Sequence, residues 1–274
     1  MNEPSDLRFF ASTDGKLAYR DTGGTGLPVV LLHASFLDHT MWDDQLPAFA
    51  QEFRVIAPDA RGHGWSANAS RPFRQADDLA ALLRHLGAAP AVLVGISMGA
   101  MIAVGTALEH PELVRALVLS GGGTEERALM EPWSEQAGAA QLQALATGDI
   151  EAWHHASDAW AHGPGRPRDA VRPAIYARLR QMRQRTIGKH TLGEPDHHKA
   201  VEDLGARAGQ ITVPVLALNG AQDAPELQAR AEHIARTAPR GRAATIDDAA
   251  HFPNLDSPEE YTRIVTDFLH SLDQ

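Results

Sequence analysis

One serine of this sequence lies in a setting that could make its hydroxyl group a nucleophile. Ser97 is the centre of a Gly-x-Ser-x-Gly pattern at residues 95–99, between an apolar run that starts at residue 92 and a small-residue run that reaches residue 108. This order predicts a strand, a very tight turn and a helix, with the serine at the turn. Glycines suit such a turn because a side chain at either position would strike the neighbouring strand or helix. We therefore predict that Ser97 is a nucleophile.

A serine hydroxyl needs a base at neutral pH, and two later residues could activate it. His251 follows the last predicted strand, and an imidazole there could take the serine proton. Asp223 follows the strand before it, and its carboxylate could orient the imidazole and stabilise the imidazolium. The chain order Ser, Asp, His is the one expected for a serine at such a turn. We predict Asp223 as the acid, with Asp248 as its rival.

Attack by serine on a carbonyl creates a negatively charged oxygen that backbone N–H groups must stabilise. One expected donor is the N–H of Met98, directly after the serine. The second is expected from the loop after the strand that ends at residue 32. We predict the N–H of Ser35 for this role, with that of Phe36 as the alternative.

Strands that alternate with helices must position these groups. An unbroken apolar run is typical of a strand buried on both faces of a sheet. The alternation predicts an α/β fold: a doubly wound, mostly parallel eight-stranded sheet with the site at the carboxyl ends of its strands. The predicted strands lie at residues 7–12, 16–21, 29–32, 54–57, 92–94, 113–119, 213–218 and 242–246.

Helices are predicted between these strands. Residues 40–53 are expected to form one helix, and a later helix has a buried leucine stripe that Gly87 closes as a C-cap. The final helix has a strong start signal, with Ser257 as N-cap, Pro258 at the first position and Glu260 completing a capping box.

The strand pattern stops between residues 124 and 208, where helical sequence predicts a lid inserted after the sixth strand. Residues 1–123 and 209–274 would form the core. Each of Trp133, Trp153 and Trp160 could simply pack within the lid, but lids wall substrate pockets, so we predict substrate contacts among them. We also predict a substrate contact from Phe36, in the loop after the third strand. Residues 164–190 also hold eight arginines and lysines against one aspartate. These cations either flank an apolar stripe in solvent or include one or two that receive a substrate carboxylate.

Composition excludes several classes of function. The 274 residues contain no cysteine, which excludes disulfides, a thiolate nucleophile and a cysteine-based metal site. A net charge of −10 argues against a nucleic-acid partner, and no apolar run approaches a membrane span. The polar start lacks a signal-peptide pattern, so we expect a cytoplasmic protein. The adjacent pairs His154-His155 and His197-His198 would point to different helix faces, so we expect neither a metal nor another cofactor.

Together these residues resemble the α/β-hydrolase superfamily, in its compact, lid-bearing branch. The resemblance implies a serine hydrolase, most similar to the esterases and 3-oxoadipate enol-lactonases. It also implies that Arg61 and His63 fix a loop and do not take part in the reaction. One departure is His33-Ala34, where the family usually has His-Gly. The matching residues are His33, Trp42, 59–66, 95–99, 219–223 and 251–253.

The predicted function is cleavage of a small carboxylic ester or lactone through an acyl-enzyme, without cofactor, nucleic acid or membrane. The same triad could instead support C–C bond hydrolysis, acyl transfer or perhydrolysis. A non-catalytic receptor for a small ligand could also keep this fold and pocket. No pattern in the sequence predicts an oligomeric state.

Overall fold

The computed structural model describes residues 5–124 and 130–273. These residues form one sheet whose strands are β1 (Arg8–Ser12), β2 (Gly15–Asp21), β3 (Pro28–Leu32), β4 (Arg54–Pro58), β5 (Ala91–Ile96), β6 (Val114–Ser120), β7 (Val215–Gly220) and β8 (Gly241–Ile246). The α-helices are α1 (Leu46–Phe49), α2 (Gln75–Leu86), α3 (Met98–Glu109), α4 (Pro132–Ala146), α5 (Ile150–Ser157), α6 (Ala159–His162), α7 (Pro173–Ile187), α8 (Pro225–Thr237), α9 (Pro253–Asp256) and α10 (Pro258–His270).

The strand order is β1-β2-β4-β3-β5-β6-β7-β8. The pairs β1–β2 and β2–β4 are antiparallel, and every later pair is parallel. All six residues of β5 are buried, as expected for a central strand covered by helices on both faces. The predicted eight-stranded, mostly parallel sheet is confirmed. None of the helices in the described ranges has the length and apolar character that a membrane span needs.

The predicted single helix at residues 40–53 is wrong. A 3₁₀ turn covers His39–Trp42, and α1 begins separately at Leu46. Pro47 has no N–H and is tolerated only in the first turn of a helix, so a helix must start there and cannot run through it. Asp38 caps the 3₁₀ turn by accepting a hydrogen bond from the N–H of Thr40 at 3.0 Å.

The start of α10 is where we predicted it, but the predicted capping box is absent. Ser257 is the N-cap and Pro258 follows at the first position, yet the Ser257 side chain makes no capping hydrogen bond. Its N–H donates instead to the carbonyl of Pro253 at 3.1 Å. The preceding helix α9 therefore already satisfies the group that Glu260 was expected to bind.

Helices α4 to α7 lie between β6 and β7, in what we call the helical insertion (residues 130–210). The division into a lid at 124–208 and a core stays a prediction, and residues 125–129 of that range lie outside the described residues. Basic side chains fasten the insertion to the sheet side of the molecule. Arg185 binds Asp38 at 2.7 Å, and Arg166 binds Asp256 at 2.8 Å.

Loss of the Arg185–Asp38 ion pair should destabilise the protein. Burial alone would raise the pKa of Asp38, but the hydrogen bonds and charge of Arg185 hold that pKa below its ordinary value. In Arg185→Leu a buried carboxylate loses its cation, so the free energy of unfolding should fall by about 3 kcal/mol. Urea unfolding followed by fluorescence measures this. The control Arg180→Leu removes an exposed pair with Glu151 and should leave the midpoint nearly unchanged; equal losses would contradict the prediction.

Candidate active site

The backbone at Ser97 is strained in the way that a sharp strand-to-helix turn requires. Its φ of 56° and ψ of −114° lie outside the ordinary regions for a residue with a side chain, between β5 and α3. A Cβ at Gly95 would clash with the carbonyl of Gly99, and a Cβ at Gly99 would clash with the carbonyl of Leu32. Both glycines are therefore required by close packing, and the turn presents the partly exposed Ser97 at the carboxyl edge of the sheet.

Asp223 and His251 form a buried hydrogen-bonded pair at this edge. Asp223 Oδ2 lies 2.9 Å from His251 Nδ1, and the residues are 3% and 5% exposed. Asp223 Oδ1 accepts a hydrogen bond from the N–H of Ala224 at 2.8 Å, which fixes the carboxylate. Asp248 is exposed, and its backbone carbonyl binds Arg166. The structure therefore places Asp223, and not Asp248, on the histidine.

Two glycines after β6 bring Ser97 close to this pair. A Cβ at Gly121, whose φ is 55°, would lie 2.7 Å from His251 Nδ1 and 2.8 Å from Asp223 Oδ2. A Cβ at Gly122 would lie 2.8 Å from the carbonyl oxygen of Ser97. No hydrogen bond between described residues joins Ser97 Oγ to His251, although both side chains line one cavity. Such contacts are often loose without substrate. The sequence analysis missed these glycines, although Gly-Gly-Gly directly after a strand signalled a close approach.

Free N–H groups lie beside the serine. Met98 is the first residue of α3, where an N–H has no partner within the helix. Residues 34–37 form a turn in which the N–H of Leu37 donates to Ala34 and Phe36 has a φ of 62°. In the described part of the chain, no acceptor binds the N–H groups of Met98, Ser35 or Phe36. The turn can therefore supply the second donor from either Ser35 or Phe36.

Two cavities meet at this turn. The small chamber has a volume of about 280 Å³, and its lining includes Ser97, His251, Trp153, Trp160 and Arg183. The large chamber has a volume of about 890 Å³, and its lining includes Met98, His63, Phe73, Leu145 and Ile187. Ser35 and Phe36 line both chambers.

Aromatic side chains shape the boundary of the small chamber. The Phe36 ring lies 5.0 Å from that of Trp153, and the Trp160 ring lies 5.7 Å from that of His251. Trp133 is not among the described lining residues and instead packs edge-on against Trp160 at 5.3 Å. Gln141 accepts a hydrogen bond from Trp160 Nε1 at 3.0 Å, which orients the indole. Nothing in the sequence singled out Gln141.

Comparison with known proteins identifies the fold. The family model of the alpha/beta hydrolase fold matches residues 28–258, most of the chain. The chain belongs to the α/β-hydrolase fold family. Among its relatives, a pimeloyl-[acyl-carrier protein] methyl ester esterase of Aromatoleum aromaticum is 30% identical over 87% of this chain and 96% of its own length.

Two further α/β-hydrolase comparisons cover nearly the whole chain. A 2-hydroxy-6-oxononadienedioate/2-hydroxy-6-oxononatrienedioate hydrolase of Burkholderia vietnamiensis is 29% identical over 94% of this chain and 92% of its own length. The structure of a thermophilic esterase from Thermogutta terrifontis is 28% identical, with a TM-score of 0.78 over 98% of this chain and 100% of that one. The predicted family is confirmed, and the chain is an α/β-hydrolase enzyme.

One loop of this α/β-hydrolase is held by its own charged groups. Arg61 is buried and donates to both oxygens of Asp78 at 2.7 and 2.8 Å. Asp59 accepts hydrogen bonds from the backbone and ring of His39 at 2.7 and 2.8 Å and from the N–H of Trp65 at 2.8 Å. Arg61 and Asp59 therefore have structural roles: their hydrogen bonds hold this loop in place.

Among the described residues, one group of three has ligand atoms close enough to hold a metal ion: Asp38, His39 and Asp59. Their oxygens are already engaged, since Asp38 binds Arg185 and Thr40 while Asp59 binds His39. The carboxylates of this group therefore already have protein partners. The three residues fit a structural cluster better than a metal centre.

His63 should make this α/β-hydrolase sensitive to acid. Burial, together with the smaller effect of the neighbouring His33, lowers the pKa of His63 to about 3. Between pH 7.5 and 5 the unfolded chain takes up a proton here and the folded chain does not, so stability falls as the pH falls. The free energy of unfolding should lose roughly 1–2 kcal/mol from this residue.

Urea unfolding at the two pH values tests this contribution. The variant His63→Gln should lose less stability than the wild type between pH 7.5 and 5, by that same amount. His39, whose pKa Asp59 raises against burial, is present in both proteins and cancels in the comparison. Equal acid losses in the two proteins would contradict the assignment.

Proposed function

We propose that this protein is a serine hydrolase that cleaves small-molecule carboxylic esters or lactones through an acyl-enzyme. The observation that carries the proposal is the 2.9 Å hydrogen bond between Asp223 and His251 at the edge where strained Ser97 lies. A buried carboxylate on Nδ1 keeps the proton on that nitrogen, which leaves Nε2 as the base.

In the proposed reaction, Ser97 Oγ attacks the substrate carbonyl and its proton passes to His251 Nε2. Asp223 stabilises the imidazolium that results. The N–H of Met98 and that of Ser35 or Phe36 hold the oxyanion. Collapse of the intermediate breaks the bond to the leaving oxygen, which takes the proton from His251. Water then attacks the acyl-enzyme, again with His251 as base, and releases the acid.

A second candidate is hydrolysis of a carbon–carbon bond on the same residues. It is favoured by the similarity to the nonadienedioate hydrolase of Burkholderia vietnamiensis over 94% of this chain. Ester cleavage has the stronger support, because the 30% identical relative and the structure with a TM-score of 0.78 are both named esterases.

The proposal is tested with a fluorophosphonate probe and with p-nitrophenyl acetate. We expect the probe to label Ser97, located by peptide mass spectrometry, and p-nitrophenol to be released over many turnovers. An absence of labelling at Ser97 would refute the nucleophile. Labelling without sustained turnover of this ester or of a panel of methyl esters would instead support a receptor.

A further inference from the structure

We propose that the substrate of this enzyme has a long, uncharged acyl part and a small alcohol part. The inference rests on the proposed ester hydrolysis and adds the substrate class. It follows from which catalytic group faces which chamber, from the unequal volumes of the chambers, and from the partners of the nearby cations.

The positions of the candidate catalytic groups orient the substrate. His251 lines the small chamber, and it must protonate the leaving oxygen, so the alcohol part lies on that side. Met98, the residue directly after Ser97, lines the large chamber, so this chamber begins within one residue of the serine. The turn at Ser35 and Phe36 lies between the two. The acyl chain, which leaves the carbonyl on the side away from the alcohol, therefore extends past this turn into the large chamber.

The volumes of the two chambers indicate which part of the substrate is the larger one. The small chamber measures about 280 Å³ and is lined by the rings of Trp153, Trp160 and Phe252. The large chamber measures about 890 Å³, within the range of cavities that hold drug-sized ligands. Most of the surface that it presents is apolar, with contributions from Phe73, Leu145, Ile150, Ile187 and Leu192. Polar side chains also line it, including those of His190, Glu194, Asp196, His197 and His198. The apolar surface suits hydrocarbon, and each methylene buried there should raise kcat/KM by up to about fourfold.

The cations near the chambers are already neutralised. Arg183 lines the small chamber but donates to Asp158 at 2.7 Å and to the carbonyl of Ser157 at 2.9 Å. Arg61 lines the large chamber and is held by Asp78. The described structure also gives every other basic residue of 164–190 a protein partner: Arg166, Arg168, Arg172, Arg178, Arg180, Arg185 and Lys189.

No arginine or lysine lining the described chambers is thus left to receive a substrate carboxylate. Neither of the two alternatives that the sequence left open describes these cations. Arg183 is buried beside Asp158, and several others bind acids outside the insertion, as Arg166 does with Asp256 and Arg185 with Asp38.

Of the other ionisable groups in the lining of the large chamber, His63 has a pKa lowered to about 3 by burial and His190 binds Glu194. The carboxylates of Glu194 and Asp196 also line this chamber and would repel an anionic acyl end. The chamber should therefore select neutral acyl chains.

Two isomeric esters test the orientation. Methyl octanoate and heptyl acetate have the same formula, but the long chain lies on the acyl side in the first and on the alcohol side in the second. We expect kcat/KM to favour methyl octanoate by about tenfold or more. Equal values, or a preference for heptyl acetate, would overturn the inference. In that case Ser97-dependent hydrolysis of either ester would still uphold the proposed function. Hydrolysis of neither would overturn this inference alone, because labelling of Ser97 and turnover of p-nitrophenyl acetate test the proposed function separately.

Variants of each chamber sharpen this test. Ile187→Trp should lower the ratio of kcat/KM for methyl octanoate to that for methyl acetate by about fivefold or more, because the indole occupies the large chamber. Leu227→Ala enlarges the small chamber and should raise the relative rate with heptyl acetate. The control Leu142→Trp adds an indole on α4 at a side chain that is 70% exposed and should leave both ratios unchanged. An Ile187→Trp effect confined to heptyl acetate would reverse the assignment.

A charged analogue tests the neutral acyl part. The monomethyl ester of octanedioic acid matches methyl octanoate in chain length and ends in a carboxylate. We expect kcat/KM to be at least about tenfold lower for this anion at pH 7.5, in low and in high salt alike. A preference for the anion that shrinks as salt rises would show that a cation receives it and would overturn this part of the inference.

Discussion

Ser97→Ala should lose at least about 10³-fold of the wild-type kcat on any ester that the enzyme hydrolyses. The hydroxyl is the proposed attacking group, and water in its place has neither its position nor its covalent intermediate. The backbone at residue 97 keeps its strained conformation in both proteins, so the fold should persist, as circular dichroism can verify. Steady-state rates with p-nitrophenyl acetate measure the loss.

Ser35→Ala is the matched control. This exposed serine is proposed to act through its backbone N–H, which alanine retains, so kcat should change by less than about threefold. Retention of more than about a tenth of the activity in Ser97→Ala would refute the nucleophile. A loss in Ser35→Ala as large as that in Ser97→Ala would move the attacking role to the neighbouring turn.

Asp223→Asn should cost about 10³- to 10⁴-fold in kcat, because an amide beside Nδ1 favours the wrong tautomer of His251 and cannot stabilise its imidazolium. The size of the side chain is kept, so packing is disturbed little. The effect should appear in kcat and in kcat/KM together, which marks a group that acts mainly in the transition state.

Asp248→Asn provides the comparison, since this residue is exposed and contacts Arg166 through its backbone. We expect less than about a threefold change. The opposite ranking of the two variants would transfer the role of the acid to Asp248. Comparable small effects in both would mean that His251 works without a carboxylate.

Short-range constraints explain why much of the site is predictable from sequence. Glycine is required on both sides of Ser97 because a Cβ there would clash with groups only a few ångströms away. The spacing of these glycines can therefore be recognised in the sequence of any chain with this turn. Asp223 and His251 each lie in the loop after a strand of the parallel part of the sheet, and the carboxyl ends of such strands meet at one edge. The order of strands and helices therefore predicts that all three side chains lie at the same edge of the sheet.

Long-range contacts explain what the sequence did not show. The role of Gly121 depends on its distance from His251, 130 positions further along the chain. The orientation of Trp160 depends on Gln141 in another helix. The volumes of the two chambers depend on how the helical insertion packs. Whether an arginine is available to bind substrate depends on which acidic side chain of the protein lies next to it. Such facts follow from packing and have no local signature.

The contacts that hold the insertion on the rest of the protein have a consequence for substrate entry and product release. Arg185 and Arg166 tie its helices to Asp38 and Asp256, and Lys189 donates to carbonyls of the loop at residues 63–66. Because the helical insertion is held at several points, we expect it to move together with the sheet and its helices. We therefore expect substrate to enter and product to leave past side chains at the mouth of the large chamber, whose rotations take picoseconds to nanoseconds, without a slower opening of the whole insertion. We therefore expect the proposed bond-breaking steps at Ser97 to limit the rate of turnover, so kcat should stay unchanged as the viscosity of the solvent rises.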